Sequence, residues 1–287
     1  LTDDLLANLV HARHLVAGSL LERGLAVGEP VRAGPTLVAE ELVDGWMDPP
    51  PVDLVVVDCL DVAETIVPHA KAHGVPVVLF EHDGPATRFA DLVVDEFADP
   101  KWTVLRPEFQ CLPAQDVAAV GTKVLVSFGG TDPSQLGARY ASMLAYGVDA
   151  EVRLVQGPGA WPYVPAPKPG ASRRVEVVQD AVMSEQMCWA DLVVTSQGRT
   201  VAEAVACGTP VVSISSNERE SRHCRLPGVV YLGLHVALSD QTLIGTVSRL
   251  LDRPALRQEM VTTASAAVDG KGVERVCWEI ERLLRGL

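Results

Sequence analysis

The chain has 287 residues, 48% apolar and 21% charged, a composition that suits a folded protein of one large or two ordinary domains. Its net charge of −13 argues against nucleic acid as a partner, since polyanions are held by clustered Lys and Arg. No apolar run approaches the roughly 18 residues of a spanning helix and no signal peptide is visible, so a cytoplasmic protein without an integral membrane segment is expected; the start at Leu1 rather than Met leads to the expectation that the true N-terminus is missing. In chain order, the first residues carry no convincing strand, and 15–24 reads as a helix ending on Glu22-Arg23-Gly24. Val-rich runs predict strands at 54–58, 76–80, 92–94, 123–128, 152–155, 175–178, 192–195, 211–214 and 229–232. Amphipathic stretches between them predict helices at 62–73, 133–146, 199–206, 240–251, 255–267 and 272–284. Apolar strands without alternation fit parallel strands buried on both faces, so the class is α/β, built from repeated βαβ units. The Pro-containing stretch 107–121 separates two halves, 1–112 and 113–287, and the last helix has the position to cross back onto the first. Residues 157–170, with five prolines and three glycines, form a long loop of the kind that is often functional.

Six cysteines (Cys59, Cys111, Cys188, Cys207, Cys224 and Cys277) contain no C-x-x-C pair, which fits reduced thiols in a cytosolic protein.

Two strand-to-helix turns carry the chemistry. After strand 192–195 comes Ser196-Gln197-Gly198-Arg199-Thr200 and then a helix bearing Glu203. A glycine turn at a helix start presents free backbone N–H groups and a positive dipole end, which together favour a phosphate. Thr200 and Glu203 have the spacing of a capping box, so Glu203 is either a capping partner or a carboxylate that accepts from ribose hydroxyls. Arg199 adds a cation where the dipole disfavours one, which suits either an anionic ligand or a solvent-facing residue. The second turn is Ser127-Phe128-Gly129-Gly130-Thr131-Asp132-Pro133, with Asp132 as cap and Pro133 in the first helical turn. It is either an ordinary capped turn or a place where a ligand approaches the backbone.

Those two turns, with Ala190-Asp191-Leu192-Val193-Val194 and Glu203 followed by Gly208-Thr209-Pro210, resemble the C-terminal domain of the UDP-sugar hydrolases of sialic-acid-like sugar pathways. The best-known of these acts in pseudaminic acid synthesis; the spore-coat polysaccharide proteins are relatives, and all resemble the glycosyltransferase that completes lipid II. Leu105-Arg106-Pro107-Glu108-Phe109 is similar to that family's interdomain segment, and Asp269-Gly270-Lys271-Gly272-Val273-Glu274-Arg275-Val276 to its C-terminal signature. The resemblance implies a GT-B fold of two facing Rossmann-like doubly wound domains with a cleft between them. The first would be the acceptor or catalytic domain, and the second would hold the nucleotide. It further implies that Glu203 binds ribose, that Gly129, Gly130 and Thr131 cradle the diphosphate with Ser196, Gln197, Gly198, Arg199 and Thr200, and that Asn217 faces the sugar; as a bare residue, Asn217 is equally a turn former. The family's general base is a histidine in an N-terminal glycine turn. This chain lacks that glycine, and His11 is the nearest match, with His14 the alternative; as bare residues, both are equally surface histidines on a helix.

Glu81-His82-Asp83 follows a strand at its carboxyl end, so His82 and Asp83 are either sugar-site residues or a capped loop, and Asp58 is read the same way. His69 and His73 lie one helical turn apart but lack further ligands, which favours a solvated face over a metal site. Ser127 has no nucleophile elbow, and Gly129-Gly130 has no Walker lysine. The expectation is a nucleotide-diphosphate-sugar hydrolase, with a UDP-sugar as substrate and neither metal nor cofactor. The alternatives are a GT-B glycosyltransferase that passes the sugar to a sugar or small-molecule acceptor, and a non-catalytic nucleotide-sugar binding protein.

Overall fold

The computed structural model describes residues 14–17, 53–58, 63–110, 112, 116–162 and 175–286, with the backbone alone for the first stretch. The chain divides into two compact units, one formed by the residues up to Trp102 together with those from Gly272 onward, the other running from Thr103 to Lys271. The division thus falls ten residues before the expected 112/113 boundary, and the last helix groups with the first unit.

In the first unit β1 (His14–Ala17), β2 (Leu54–Val57), β3 (Val77–Phe80) and β4 (Leu92–Val94) form a parallel sheet in that order. β1 is a correction, since a helix was expected from residue 15. His14-Leu15-Val16-Ala17 takes the extended form because it pairs in register with Leu54 to Val57, a long-range contact that overrides local propensity. Helix α1 (Ala63–Ala72) buries Ala63, Ile66, Val67 and Ala70, the one-face spacing of an amphipathic helix, against Val55, Val57, Val77 and Leu79.

In the second unit, six parallel strands are described: β5 (Lys123–Ser127), β6 (Glu151–Val155), β7 (Val175–Val178), β8 (Leu192–Ser196), β9 (Val211–Ser215) and β10 (Val230–Leu234). Their spatial order is β10-β9-β8-β5-β6-β7. The chain therefore builds outward from β5 in one direction, returns, and builds outward in the other, the strand order of a dinucleotide-binding sheet. Helices cover both faces. α2 (Leu136–Gly147) and α6 (Asp240–Leu251) pack on Val124, Val126, Leu192 and Val194. α3 (Met183–Trp189) and α4 (Arg199–Ala206) pack on Leu125, Val193 and Val211. The central strands β5, β8 and β9 are buried along nearly their whole length, which is why they read as apolar runs without alternation. The short α5 (Glu218–Ser221) and α7 (Pro254–Ser265) complete this unit, and α8 (Gly272–Leu284) belongs to the first.

The helix after β5 differs from its expected start. Pro133 lies outside it and the first helical residue is Leu136, because Asp132 and Gln135 take left-handed backbone angles (φ 35° and 52°) and lengthen the turn. Asp132 still caps the helix, its carboxylate accepting from the N–H groups of Leu136 (2.9 Å) and Gly137 (2.8 Å).

Candidate functional site

The strand order reverses between β5 and β8, and ligands of open α/β sheets bind at the carboxyl ends of the strands flanking such a point. Both glycine turns leave these two strands at that end.

After β5, Gly129 sits at φ 81°, a conformation few other residues adopt. The loop after β6 lies directly on this turn: Gly159 N–H donates to the Gly130 carbonyl (2.9 Å), and a Cβ at Gly157 would stand 2.3–2.5 Å from Gly130 backbone atoms. After β8, Ser196 and Gln197 are buried. The Gln197 side-chain NH2 donates to the Cys224 carbonyl (3.1 Å), and the Gln197 backbone carbonyl is bonded to a ring nitrogen of His223 (2.7 Å), which pins the turn from outside. Gly198 is the N-cap of α4 and offers no capping side chain, so the first N–H groups of that helix have no side-chain cap.

Glu203 settles one alternative left by its spacing. Thr200 lies inside α4 rather than at its cap, so no capping box forms. Glu203 is 5% exposed, and its Oε1 accepts from Arg106 Nε at 3.0 Å. Arg106 also pairs with Glu108 through Nη1 (2.8 Å), and the other oxygen of Glu108 accepts from Ser184 N–H (3.2 Å) in the first turn of α3. A buried carboxylate without a partner is costly, and here a guanidinium supplies one.

These groups line one pocket of about 260 Å³, with Gly129, Gly130 and Ser127 from the first turn, Thr200 and Glu203 from α4, and Arg106 from the segment that opens this unit. Residues 155–158 and Asp180, Ala181 and Met183 complete its wall. Of the expected diphosphate and ribose residues, Gly129, Gly130, Thr200 and Glu203 meet here. Thr131 is next in the same turn, packed beside Gly159, while Ser196, Gln197 and Gly198 form the other turn without lining this pocket. Arg199 is exposed at the first position of α4. Asn217 caps α5, its Oδ1 accepting from Glu220 N–H (2.9 Å) while Glu220 accepts from Ser216 N–H (2.7 Å). His82 and Asp83 lie in the first unit. There His82 is buried and bonded to Glu64 (3.0 Å), and Asp83 is exposed. His14 stands on β1, and His11 lies outside the described residues.

Residue patterns did not single out Arg106, Ser127 or Gly157 as site residues. Arg106 carried a signal of a kind, as a cation beside a proline in a strongly acidic chain, but its partner is 97 positions away. Among the described residues, no group of three or more His, Cys, Asp and Glu side chains is placed to hold a metal ion. Nor is any described helix long and apolar enough to cross a membrane.

Two α/β units with parallel sheets, the second in dinucleotide-binding order, define a GT-B fold, the architecture of a large class of glycosyltransferases. No protein-family model matches the chain. In sequence it is similar to the spore coat polysaccharide biosynthesis protein SpsG of Bacillus subtilis, 26% identical over 259 residues that cover 78% of this chain and 75% of SpsG. In structure it is similar to the calicheamicin glycosyltransferase CalG4, with a TM-score of 0.58 at 18% identity over 98% of this chain and 93% of that one. It is also similar to Anabaena HepE, solved in complex with UDP and glucose, with a TM-score of 0.52 at 15% identity over 87% and 81% of the two chains.

Proposed function

We propose that the protein is a glycosyltransferase-like enzyme that binds a nucleotide-diphosphate sugar, with UDP as the nucleotide, in the pocket of its second unit and passes the sugar to an acceptor hydroxyl. The observation that carries this reading is Glu203, a buried carboxylate that shares one pocket with a glycine turn at the switch point of the sheet. On this reading Glu203 accepts from the ribose hydroxyls, as a carboxylate does in dinucleotide-binding folds. The Gly129–Gly130 turn and the start of α4 supply N–H groups and a dipole to a diphosphate. In the reaction, the acceptor oxygen attacks the anomeric carbon, the bond from that carbon to the diphosphate oxygen breaks, and the departing charge is stabilised by those same N–H groups. His11 and His14 are the candidates for the base that takes the acceptor proton. On this reading Asn217, His82 and Asp83 are candidates on the sugar side, and no metal or cofactor enters.

Transfer is favoured over hydrolysis because solved structures similar to this one include glycosyltransferases, and the likeness to SpsG points to polysaccharide assembly. Hydrolysis rests on motif resemblance alone, and one assay separates the two. Purified protein is incubated with UDP- and CDP-sugars, with and without sugar or small-molecule acceptors, and free sugar and nucleoside diphosphate are measured. Diphosphate release that requires an acceptor is the expected result. Free sugar without acceptor would make the enzyme a hydrolase, and UDP binding with no turnover would make it a binding protein. Glu203→Gln should weaken UDP by about tenfold or more, since a bond to a charged acceptor contributes about 1.5–3 kcal/mol.

A further inference from the structure

We propose that Arg106 occupies the carboxylate of Glu203 until a nucleoside diphosphate exchanges places with it, and that this exchange makes the pocket select phosphorylated nucleosides over bare ones. The inference rests on the nucleotide reading of the pocket and adds a selectivity residue to it.

The two partners are unequal. The Glu203 side chain is 7% exposed and fixed on α4, whereas that of Arg106 is 49% exposed. Arg106 reaches Glu203 through Nε alone, while Nη1 is committed to Glu108. Nη2 bonds to none of the described residues, so one arm of the fork is open. Glu108 is itself anchored by Ser184 N–H. When a ribose takes the carboxylate, that anchor keeps the guanidinium beside the pocket.

Charge decides what happens next. Among the described residues, the ionisable side chains lining the pocket are Arg106, Asp180 and Glu203, so within that set one cation faces two carboxylates. A bare nucleoside that displaces Arg106 offers Glu203 only neutral donors and gives the guanidinium nothing in return. A nucleoside diphosphate gives the freed fork a phosphate, a geometry it matches in two bonds. The pair thus taxes every nucleoside and refunds the tax only to phosphorylated ones.

The test is calorimetric titration of the full chain with UDP and with uridine, in wild type and in Arg106→Ala, at fixed ionic strength. The expected result is that the variant loses about tenfold or more in UDP affinity while uridine binds no more weakly than to wild type. Equal weakening of both ligands, or an unchanged ratio between them, overturns the exchange and leaves the nucleotide site standing. Wild type that binds neither ligand overturns both readings together. Should the alanine variant not fold, Arg106→Gln, which keeps length and loses charge, reads the same ratio. Arg106→Lys keeps a cation without the fork and should lie between the two.

Discussion

Gly157 is where the fold and the site meet most tightly, and Gly157→Ala tests that meeting. The new methyl would lie 2.3 Å from the Gly130 carbonyl oxygen, 2.4 Å from its Cα and 2.5 Å from its carbonyl carbon. All three are backbone atoms, so no side chain can rotate away. Reaching an ordinary contact requires the two turns to part by about 1 Å. Parting them also breaks the Gly159 N–H to Gly130 bond. Overpacking and the lost bond together should cost about 2–4 kcal/mol, lowering the unfolding midpoint by roughly 2–4 °C per kcal/mol. Misplacing a positioning turn by about 1 Å costs up to about 100-fold in function, so UDP affinity and turnover should fall together. Gly130→Ala is the matched control. Its Cβ meets nothing within 4 Å, so it should leave the midpoint alone while placing a methyl in the pocket. Scanning calorimetry with UDP titration reads both. A Gly157→Ala protein with wild-type midpoint and wild-type UDP affinity would refute the reasoning, as would a Gly130→Ala protein equally destabilised.

Three further outcomes follow from the contacts. Asp132→Ala removes both bonds that cap α2 and should cost about 1–2 kcal/mol by urea denaturation. Arg257→Met strips the carbonyls of Ala118, Leu250 and Leu251 of a buried donor, at about 1–3 kcal/mol for each group left unpaired; hydrogen exchange at the end of α6 should accelerate, and no change there would count against the assignment. The Ala86 N–H holds the Glu64 carboxyl below its ordinary 4.5, against a smaller opposing desolvation, with His82 assisting. A carboxylate lowered on folding contributes stability that is complete above the unfolded value and disappears as pH falls through the folded one. Denaturant midpoints of wild type should therefore drop on the acid side of 4.5 more steeply than those of Glu64→Gln.

Much of this was legible in the residues, for physical reasons. A strand buried on both faces has no choice but to be apolar, so β2, β3, β5, β8 and β9 announced themselves as apolar runs. β1 did not, because four residues with a histidine at one end become a strand only by pairing with Leu54 to Val57, and sequence distance hides that pairing. The start of α2 was displaced by two left-handed residues, Asp132 and Gln135, neither of them glycine. At the site, Gly129, Gly130, Thr200 and Glu203 stood out because turn and helix chemistry is local. The capping-box spacing at Thr200 and Glu203 was real but empty, since the competing partner, Arg106, comes from another part of the chain. Gly157 was visible as one glycine in a loop, and its contact with Gly130 belongs to the third dimension alone.

The closing helix has a consequence for how the protein is made. α8 packs on β4 and on the 100–102 turn, and Arg275 donates to the Lys101 carbonyl (3.0 Å). One unit is thus an uninterrupted stretch, while the other draws on both sides of it. Synthesis proceeds at about 5–20 residues per second from the amino end, and units normally fold in that order. Here the order inverts: the unit from Thr103 to Lys271 can close on the ribosome while the other, with strands made earlier, waits for α8 to be translated.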